Sequence, residues 1–187
     1  MKKIKQILFI IILLLVVAIV FRGWFYQNIV SYQSIGERTL YMAVDERLIQ
    51  YIEENNKSNP DVESIIKNSL RITSKKLTFS TEKTEHNPNK LIYSEKANCI
   101  GYSHFYSVVC NHLLNKNNLA DTWVAKPQIG QLYFFGTNIH KYFKLSFFKD
   151  HDFVTIENKK TGKIFAVDPT INDYFWIDFV KYSNNKN

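Results

Sequence analysis

The chain has 187 residues, enough for one compact domain with a short additional segment. Apolar residues make up 45% of it and aromatic residues 15%, which excludes an intrinsically disordered protein. The net charge of +7 is spread along the sequence without a long run of Lys or Arg, so we expect no nucleic-acid partner.

The chain begins with a segment typical of a membrane anchor. Ile7 to Phe21 is unbroken apolar sequence, with three lysines before it and Arg22 and aromatic residues after it. As a helix, the uncharged stretch from Gln6 would span about 24 Å, slightly less than a hydrocarbon core of about 30 Å. Flanking cationic and aromatic side chains extend that span. We expect a transmembrane signal anchor that contacts lipid through residues 4–26.

Two other interpretations of this segment stay open: a cleaved signal peptide and a buried helix. The peptide alternative would need small residues at a cleavage site, whereas Ala18 to Arg22 is mostly bulky. With an uncleaved anchor, the positive-inside rule predicts a single-pass membrane protein whose C-terminal domain is periplasmic or extracellular.

Two helices are predicted between the anchor and the middle of the chain. Arg38 to Glu54 carries apolar residues at helical spacing, without Gly or Pro. A second helix is expected to begin with Asn59 as N-cap and Pro60 at its first position. The polar stretch from Thr81 to Lys90 is predicted to be a loop. The expected parts of the chain are the cytoplasmic tip and anchor (1–26), a juxtamembrane helical segment (27–60) and a C-terminal domain (61–187).

A third helix is predicted from Cys99 to about Leu114, with Asn98 as its N-cap. Apolar residues recur on one face of it at helical spacing. Four short stretches rich in β-branched and aromatic residues follow and predict strands, at 123–125, 131–135, 153–156 and 164–167. Helices followed by strands predict an α+β domain.

The two cysteines are expected to play different parts. Cys99 lies in the first turn of the third helix, where the macrodipole and free backbone N–H groups stabilise a thiolate. Cys110 lies three turns deeper among apolar residues and is expected to be a small buried hydrophobe. If both lie on this helix, about 16 Å of rise separates them, too far for a disulfide.

His151 and Asp168 are predicted to face each other across a hairpin. Phe153–Glu157 and Gly162–Val167 flank a polar four-residue turn, as in an antiparallel pair of strands. A loop centred on that turn puts His151 directly opposite Asp168, with Cβ atoms about 5 Å apart. Asp168 would then orient the ring of His151 and leave its other nitrogen free for a thiol.

Three motifs occur in order in the C-terminal domain. They are Asn98-Cys99-Ile100-Gly101-Tyr102-Ser103, His151-Asp152-Phe153-Val154-Thr155-Ile156 and Val167-Asp168-Pro169-Thr170. Over about residues 61–175 the chain thereby resembles the transglutaminase-like superfamily, as a bacterial membrane-anchored member. In that superfamily a Cys opens a helix, a His begins a strand, and an Asp ends the next strand before Pro-Thr.

The resemblance implies a papain-like core, with the Cys-bearing helix and the helices before it packed on an antiparallel sheet. It also implies that Cys99 attacks an amide carbonyl, that His151 acts as base and then as acid, and that Asp168 orients His151. The acyl-enzyme would pass to water or to an amine. The backbone N–H of Cys99 is the expected oxyanion donor.

Alternatives to these site residues are less well placed. Asp152 follows His151 directly, so its side chain should point to the opposite face of the strand, and Asp150 lies in the preceding loop. The remaining histidines are scattered without the paired spacing of a zinc site, so we expect no metal and no cofactor. Seven aromatic residues precede His151 and are expected either to pack in the core or to form a cleft wall or a bilayer-facing surface: Tyr133, Phe134, Phe135, Tyr142, Phe143, Phe147 and Phe148.

The function predicted from these features is that of a membrane-anchored cysteine enzyme. It would act on amide bonds of peptides or proteins through a thioacyl intermediate, by hydrolysis or by acyl transfer to an amine. The alternative is a catalytically silent, membrane-tethered binding or assembly module. The sequence does not predict the oligomeric state.

Overall fold

The computed structural model describes residues 2–57, 59–145 and 148–183. Phe147 of the aromatic stretch and residues 184–187 of the predicted C-terminal domain lie outside these ranges. The helices are α1 (Lys2–Val20), α2 (Arg22–Ile29), α3 (Glu46–Asn55), α4 (Val62–Lys76), α5 (Pro88–Leu91), α6 (Cys99–Lys116) and α7 (Pro169–Phe175), with a 3₁₀ turn at Ile139–Tyr142. The strands are β1 (Val30–Glu37), β2 (Thr78–Phe79), β3 (Lys96–Ala97), β4 (Trp123–Phe134), β5 (Thr137–Asn138), β6 (His151–Asn158), β7 (Ile164–Val167) and β8 (Lys181–Tyr182). The predicted mixed α+β class is confirmed.

The main sheet of the described chain has six strands, in the order β7-β6-β4-β1-β8 with β5 paired to β4. The long strands pair antiparallel, and only the short β8 runs parallel to β1. β2 and β3 form a separate two-stranded parallel pair just before α6. Because β3 ends at Ala97, this pairing fixes where α6 begins, two residues later at Cys99.

The β6–β7 hairpin exists, but its register differs from the predicted one by two residues. Val154 pairs with Val167, and the loop is closed by two backbone hydrogen bonds, from the N–H of Asn158 to the carbonyl of Lys163 and from the N–H of Gly162 to the carbonyl of Asn158. The four-residue loop therefore lies one position later than expected. In this register Asp168 faces Phe153 across the hairpin, and His151 lies diagonal to Asp168 on the same face.

Helix α6 packs against the sheet and is buried around most of its circumference. The predicted apolar stripe is fully buried, and so are small polar residues on its other side, such as Ser103 and Ser107. Those hydroxyls donate to carbonyl groups of the preceding turn, which satisfies them inside the core. The core formed by α4, α6 and one face of the sheet therefore fixes the position of Cys99.

The helix predicted over Arg38–Glu54 is wrong in its first half. Residues 38–45 are irregular, and α3 begins only at Glu46, where the side chain of Asp45 accepts the N–H groups of Arg47 and Leu48. Arg38 is instead held at the sheet, because its N–H donates to the carbonyl of Pro127 in β4. Local capping and pairing with the sheet outweigh the helical periodicity here.

The predicted juxtamembrane segment is likewise not wholly helical. Residues 30–37 form β1, which pairs with β4 near the middle of the sheet. The predicted strands at 123–125 and 131–135 are the two ends of the continuous strand β4.

Two helix ends also differ from prediction. Asp61, not Asn59, caps α4, since its carboxylate accepts the N–H of Ser64. The end of the predicted loop at Thr81–Lys90 enters the short helix α5, whose N-cap is Asn87.

Helix α1 has the length and composition of a membrane span. Its window from Lys3 to Val20 is strongly apolar and none of it is buried against the rest of the chain. Helical hydrogen bonding continues across Phe21, which donates to the carbonyl of Val17 and accepts the N–H of Phe25. Helix α2 thus follows α1 directly and joins it to β1.

Candidate functional site

Cys99 is the first residue of α6, as the sequence predicts. The side chain of Asn98 caps the helix by accepting the N–H of Gly101, and only 8% of Cys99 is exposed. The N–H of Cys99 belongs to the first turn, where helix geometry provides no intrahelical acceptor. This N–H group and the helix dipole are therefore available to stabilise negative charge at the start of α6.

Close packing against the first turn of α6 requires a glycine two residues after Cys99. A Cβ atom at Gly101 would lie 2.9 Å from Cβ of Ala97 and 3.3 Å from the carbonyl oxygen of Glu85. The segment before α5 therefore lies directly on the first turn of α6. Nε2 of His86 in that segment lies 3.3 Å from Nδ2 of Asn98, and this hydrogen bond holds the capping side chain in place.

His151 and Asp168 lie in direct hydrogen-bond contact. Nε2 of His151 donates to Oδ2 of Asp168 at 2.6 Å, and the second ring nitrogen is left free of this bond. Asp168 is fully buried, whereas 19% of the His151 side chain is exposed. The contact runs diagonally across the hairpin, a distance that a histidine side chain can span.

The carboxylate of Asp168 has two further roles. Its Oδ1 accepts the N–H groups of Thr170 and Ile171, so that Asp168 is the N-cap of α7. Its Oδ2 also accepts the hydroxyl of Tyr32 at 2.8 Å. Because the single hydroxyl proton of Tyr32 is used in this bond, the 2.6 Å contact with Tyr26 is donated by Tyr26.

The surroundings of His151 favour its protonated form. Burial alone would lower the pKa of His151, but the adjacent charge and hydrogen bond of Asp168, together with interactions with Cys99, raise it well above its usual value. The structure joins His151 to Asp168 by a hydrogen bond, and Cys99 acts on the same ring by raising its pKa; the catalytic roles of the three residues stay a prediction.

A buried ion pair lies on the other face of β6. The guanidinium of Arg38 binds both carboxylate oxygens of Asp152, at 2.8 and 3.0 Å, and Asp152 is fully buried. The hydrogen bond to Asp152 raises the pKa of Arg38 against the effect of burial. Asp152 therefore does not orient His151, as the alternation of strand side chains indicates.

The neighbouring strand has room for the ring of Phe153 and the backbone of β6 only because it carries a glycine. Gly130 in β4 pairs with His151, and a Cβ atom there would lie 2.5 Å from the ring of Phe153 and 2.8 Å from the carbonyl oxygen of His151. This close approach lets the Phe153 ring pack beside Tyr32, at 5.2 Å between centroids.

Three other titratable side chains have partners or surroundings that belong to the fold. Cys110 is fully buried, as predicted, and burial raises the pKa of its thiol to about 12. His112 pairs with Glu53 at 2.7 Å, and His140 contacts the carbonyl of Phe148. Among the described residues, no group of three or more His, Cys, Asp or Glu side chains lies close enough together to hold a metal ion.

Sequence reasoning missed Tyr32 and Arg38. The alternation of Val30, Ser31, Tyr32 and Gln33 is the period expected of a strand and was a usable signal for Tyr32. It ends early because a bulge follows between Ser34 and Gly36. Nothing in the sequence around Arg38 indicates its pairing with Asp152, which lies 114 residues away.

Comparisons of the chain with protein-family models, curated proteins and solved structures find no match.

Proposed function

We propose that the chain is a membrane-anchored cysteine enzyme that acts on amide bonds of peptides or proteins through a thioacyl intermediate. We further propose that its core is papain-like and similar to the transglutaminase-like superfamily. In this proposal Cys99 is the nucleophile, His151 the general base and acid, and Asp168 the residue that orients His151.

The observation that carries the proposal is the hydrogen bond of His151 to Asp168, on a ring whose pKa Cys99 also raises. A nucleophile beside a histidine that is itself oriented by a carboxylate is the arrangement that nucleophilic catalysis requires. The raised pKa of His151 supports it, because a more basic ring is a better acceptor for the proton of a thiol.

The proposed reaction uses groups of this chain alone. His151 takes the thiol proton of Cys99 as the sulfur attacks the amide carbonyl carbon, and the developing oxyanion is stabilised by the N–H of Cys99 at the start of α6. His151 gives its proton to the leaving amine as the C–N bond breaks, which leaves a thioester on Cys99. Water or a second amine then attacks the thioester, His151 takes the proton of the attacking group, and the thiolate of Cys99 leaves.

The proposed location follows from α1. A helix of this length and apolarity at the N-terminus, with lysines before it, supports a single-pass anchor with the body outside the cytoplasm. The substrate would then be a peptide or protein of the periplasm or the cell exterior.

Alkylation of Cys99 tests the enzymatic part of the proposal. In the full-length chain at pH 6, we expect iodoacetamide to label Cys99 faster than it labels a free thiol, and His151→Ala to abolish the difference. Cys110→Ser provides the matched control, since a fully buried thiol should contribute no labelling. If Cys99 reacts no faster than a free thiol and His151→Ala changes nothing, the silent binding module is the better description.

A further inference from the structure

Six exposed aromatic side chains lie around the point where α1 meets the body of the protein. Three lie between the end of α1 and the first half of α2, three lie at the end of α7, and between 40% and 69% of each is exposed. We call these residues the aromatic rim: Phe21, Trp24, Phe25, Tyr174, Phe175 and Trp176.

Arg22 joins the two halves of the rim. Its Nε donates to the carbonyl of Phe175 at 2.8 Å, and its Nη2 to the carbonyl of Trp176 at 3.0 Å. Its Nη1 donates back to the carbonyl of Ile19 in α1, and its guanidinium lies 5.8 Å from the centroid of the Trp176 ring. The end of α7 is therefore attached to the first residue of α2, immediately after the apolar helix.

The backbone at Trp176 is strained. Trp176 ends α7 with φ of +52°, in the left-handed region that bulky residues rarely adopt. Such strain persists only where the surrounding structure enforces it. Here it accompanies a tryptophan that is 69% exposed, which offers no compensating burial within the chain.

Lipid headgroups are the surroundings that suit these side chains. Tryptophan, tyrosine and arginine concentrate at membrane interfaces, where an aromatic ring is partly desolvated and its polar edge stays wet. The rim is also continuous with α1, the one described helix that is long and apolar enough to cross a bilayer.

We propose that the aromatic rim is a second membrane-contact surface, with Tyr174, Phe175 and Trp176 resting in the headgroup region of the bilayer that α1 crosses. This inference depends on the anchor in the proposed function. It also deepens that function, because α7 runs from Asp168 at its N-cap to Trp176, about 12 Å along a helix axis. The site is thus held near the bilayer, and its substrate is a membrane-proximal segment of a peptide or protein.

The three tryptophans of the chain allow a direct test. Full-length variants that keep only Trp24, only Trp123 or only Trp176, with phenylalanine at the other two positions, are reconstituted in vesicles of phosphatidylcholine with and without brominated acyl chains. Trp123 is the matched control, because it is buried in the core and packs against Phe165 with 5.6 Å between the ring centroids. Circular dichroism and thermal unfolding establish that each variant is folded.

We expect the brominated lipid to quench Trp176 about as strongly as Trp24 and to leave Trp123 unchanged. Quenching of Trp24 without Trp176, with Trp176 instead open to aqueous acrylamide, overturns the inference and leaves the anchor intact. Protection of Trp176 from both quenchers also overturns it and indicates a protein contact, such as a second copy. Absence of quenching at Trp24 as well refutes the proposed anchor.

Discussion

Replacing Asp168 by asparagine should disable the pairing of His151 with Cys99 while keeping the fold. Asp168 accepts four hydrogen bonds, two on each carboxylate oxygen. Asparagine has one acceptor oxygen, which can keep the cap of α7, and an NH₂ group that then faces His151 and Tyr32.

The consequence for His151 is a change of tautomer. An NH₂ group donates to Nε2, so the ring proton must move to Nδ1, the nitrogen that is free to face Cys99. In that form His151 cannot accept the thiol proton at Nδ1. With the carboxylate charge gone, burial becomes the dominant influence and the pKa of His151 should fall below that of the unaltered protein.

The magnitude follows from the lost ion pair. Two unit charges about 4 Å apart at an effective dielectric constant of about 20 attract by about 4 kcal/mol, which corresponds to on the order of 10³-fold in an equilibrium. Because the side chain of His151 is 19% exposed, solvent screens part of this. We therefore expect alkylation of Cys99 at pH 6 to slow by at least about tenfold.

Stability should change with pH in the same experiment. A histidine whose folded-state pKa is raised stabilises the fold fully below about pH 6.5, and this contribution is lost as pH rises through the folded-state value. The unaltered protein should therefore lose stability on the alkaline side of neutrality, and Asp168→Asn should remove that slope.

The assays are iodoacetamide labelling of the full-length chain between pH 5 and pH 9 and NMR titration of the His151 ring, both in a Cys110→Ser background. Chemical unfolding at the same pH values gives the stability profile. If Asp168→Asn labels at the same rate and His151 still titrates at the pH seen in the unaltered protein, Asp168 does not control His151 and the proposed mechanism is wrong.

Three further predictions concern residues around the site. Gly130→Ala should lower the free energy of unfolding by about 1–3 kcal/mol, because the new Cβ would lie 2.8 Å from a carbonyl oxygen of β6. Chemical unfolding measures this change. Gly36→Ala is the control and should be nearly neutral, because a Cβ there would have its nearest neighbour at 3.5 Å. Arg38→Met should lower the free energy of unfolding by about 3–5 kcal/mol, because it leaves the buried carboxylate of Asp152 unpaired. Adding Asp152→Asn should recover part of that loss. If the effects of the two substitutions on the free energy of unfolding simply add, this reasoning is wrong. Burial lowers the pKa of His104, so stability should fall as pH drops below about 6.5, and His104→Gln should flatten that acid limb.

The start of α6 was predictable because its signals are local. Asn98 before an apolar periodic run marks a helix N-terminus, and its side chain does cap the helix. The burial of Cys110 follows from its apolar neighbours in the same helix. Such features depend on interactions within a few residues, which the sequence records directly.

The elements that were not predicted depend on distant partners. Residues 38–45 carry a helical pattern but stay irregular, because Arg38 binds Pro127 and Asp152 and because Asn89 binds the backbone at 42–45. Tyr32 reaches Asp168 from a strand 136 residues earlier in the chain. No window of local sequence contains these contacts, and each of them outweighs a weak propensity.

The predicted register of the β6–β7 hairpin is wrong by two residues, yet His151 and Asp168 still pair, because a shift by an even number of residues keeps both side chains on the same face. A shift of two residues keeps each side chain on its face of the sheet, whereas a shift of one would have turned Asp168 into the α6 core. The observed register leaves the two residues diagonal, and it also brings Asp168 to the end of β7, where its second oxygen caps α7. Aspartate suits both tasks, since it has the short side chain of an N-cap and two oxygens to divide between the helix and the histidine. The geometry of the candidate site and the start of the helix that leads to the aromatic rim therefore depend on the same carboxylate.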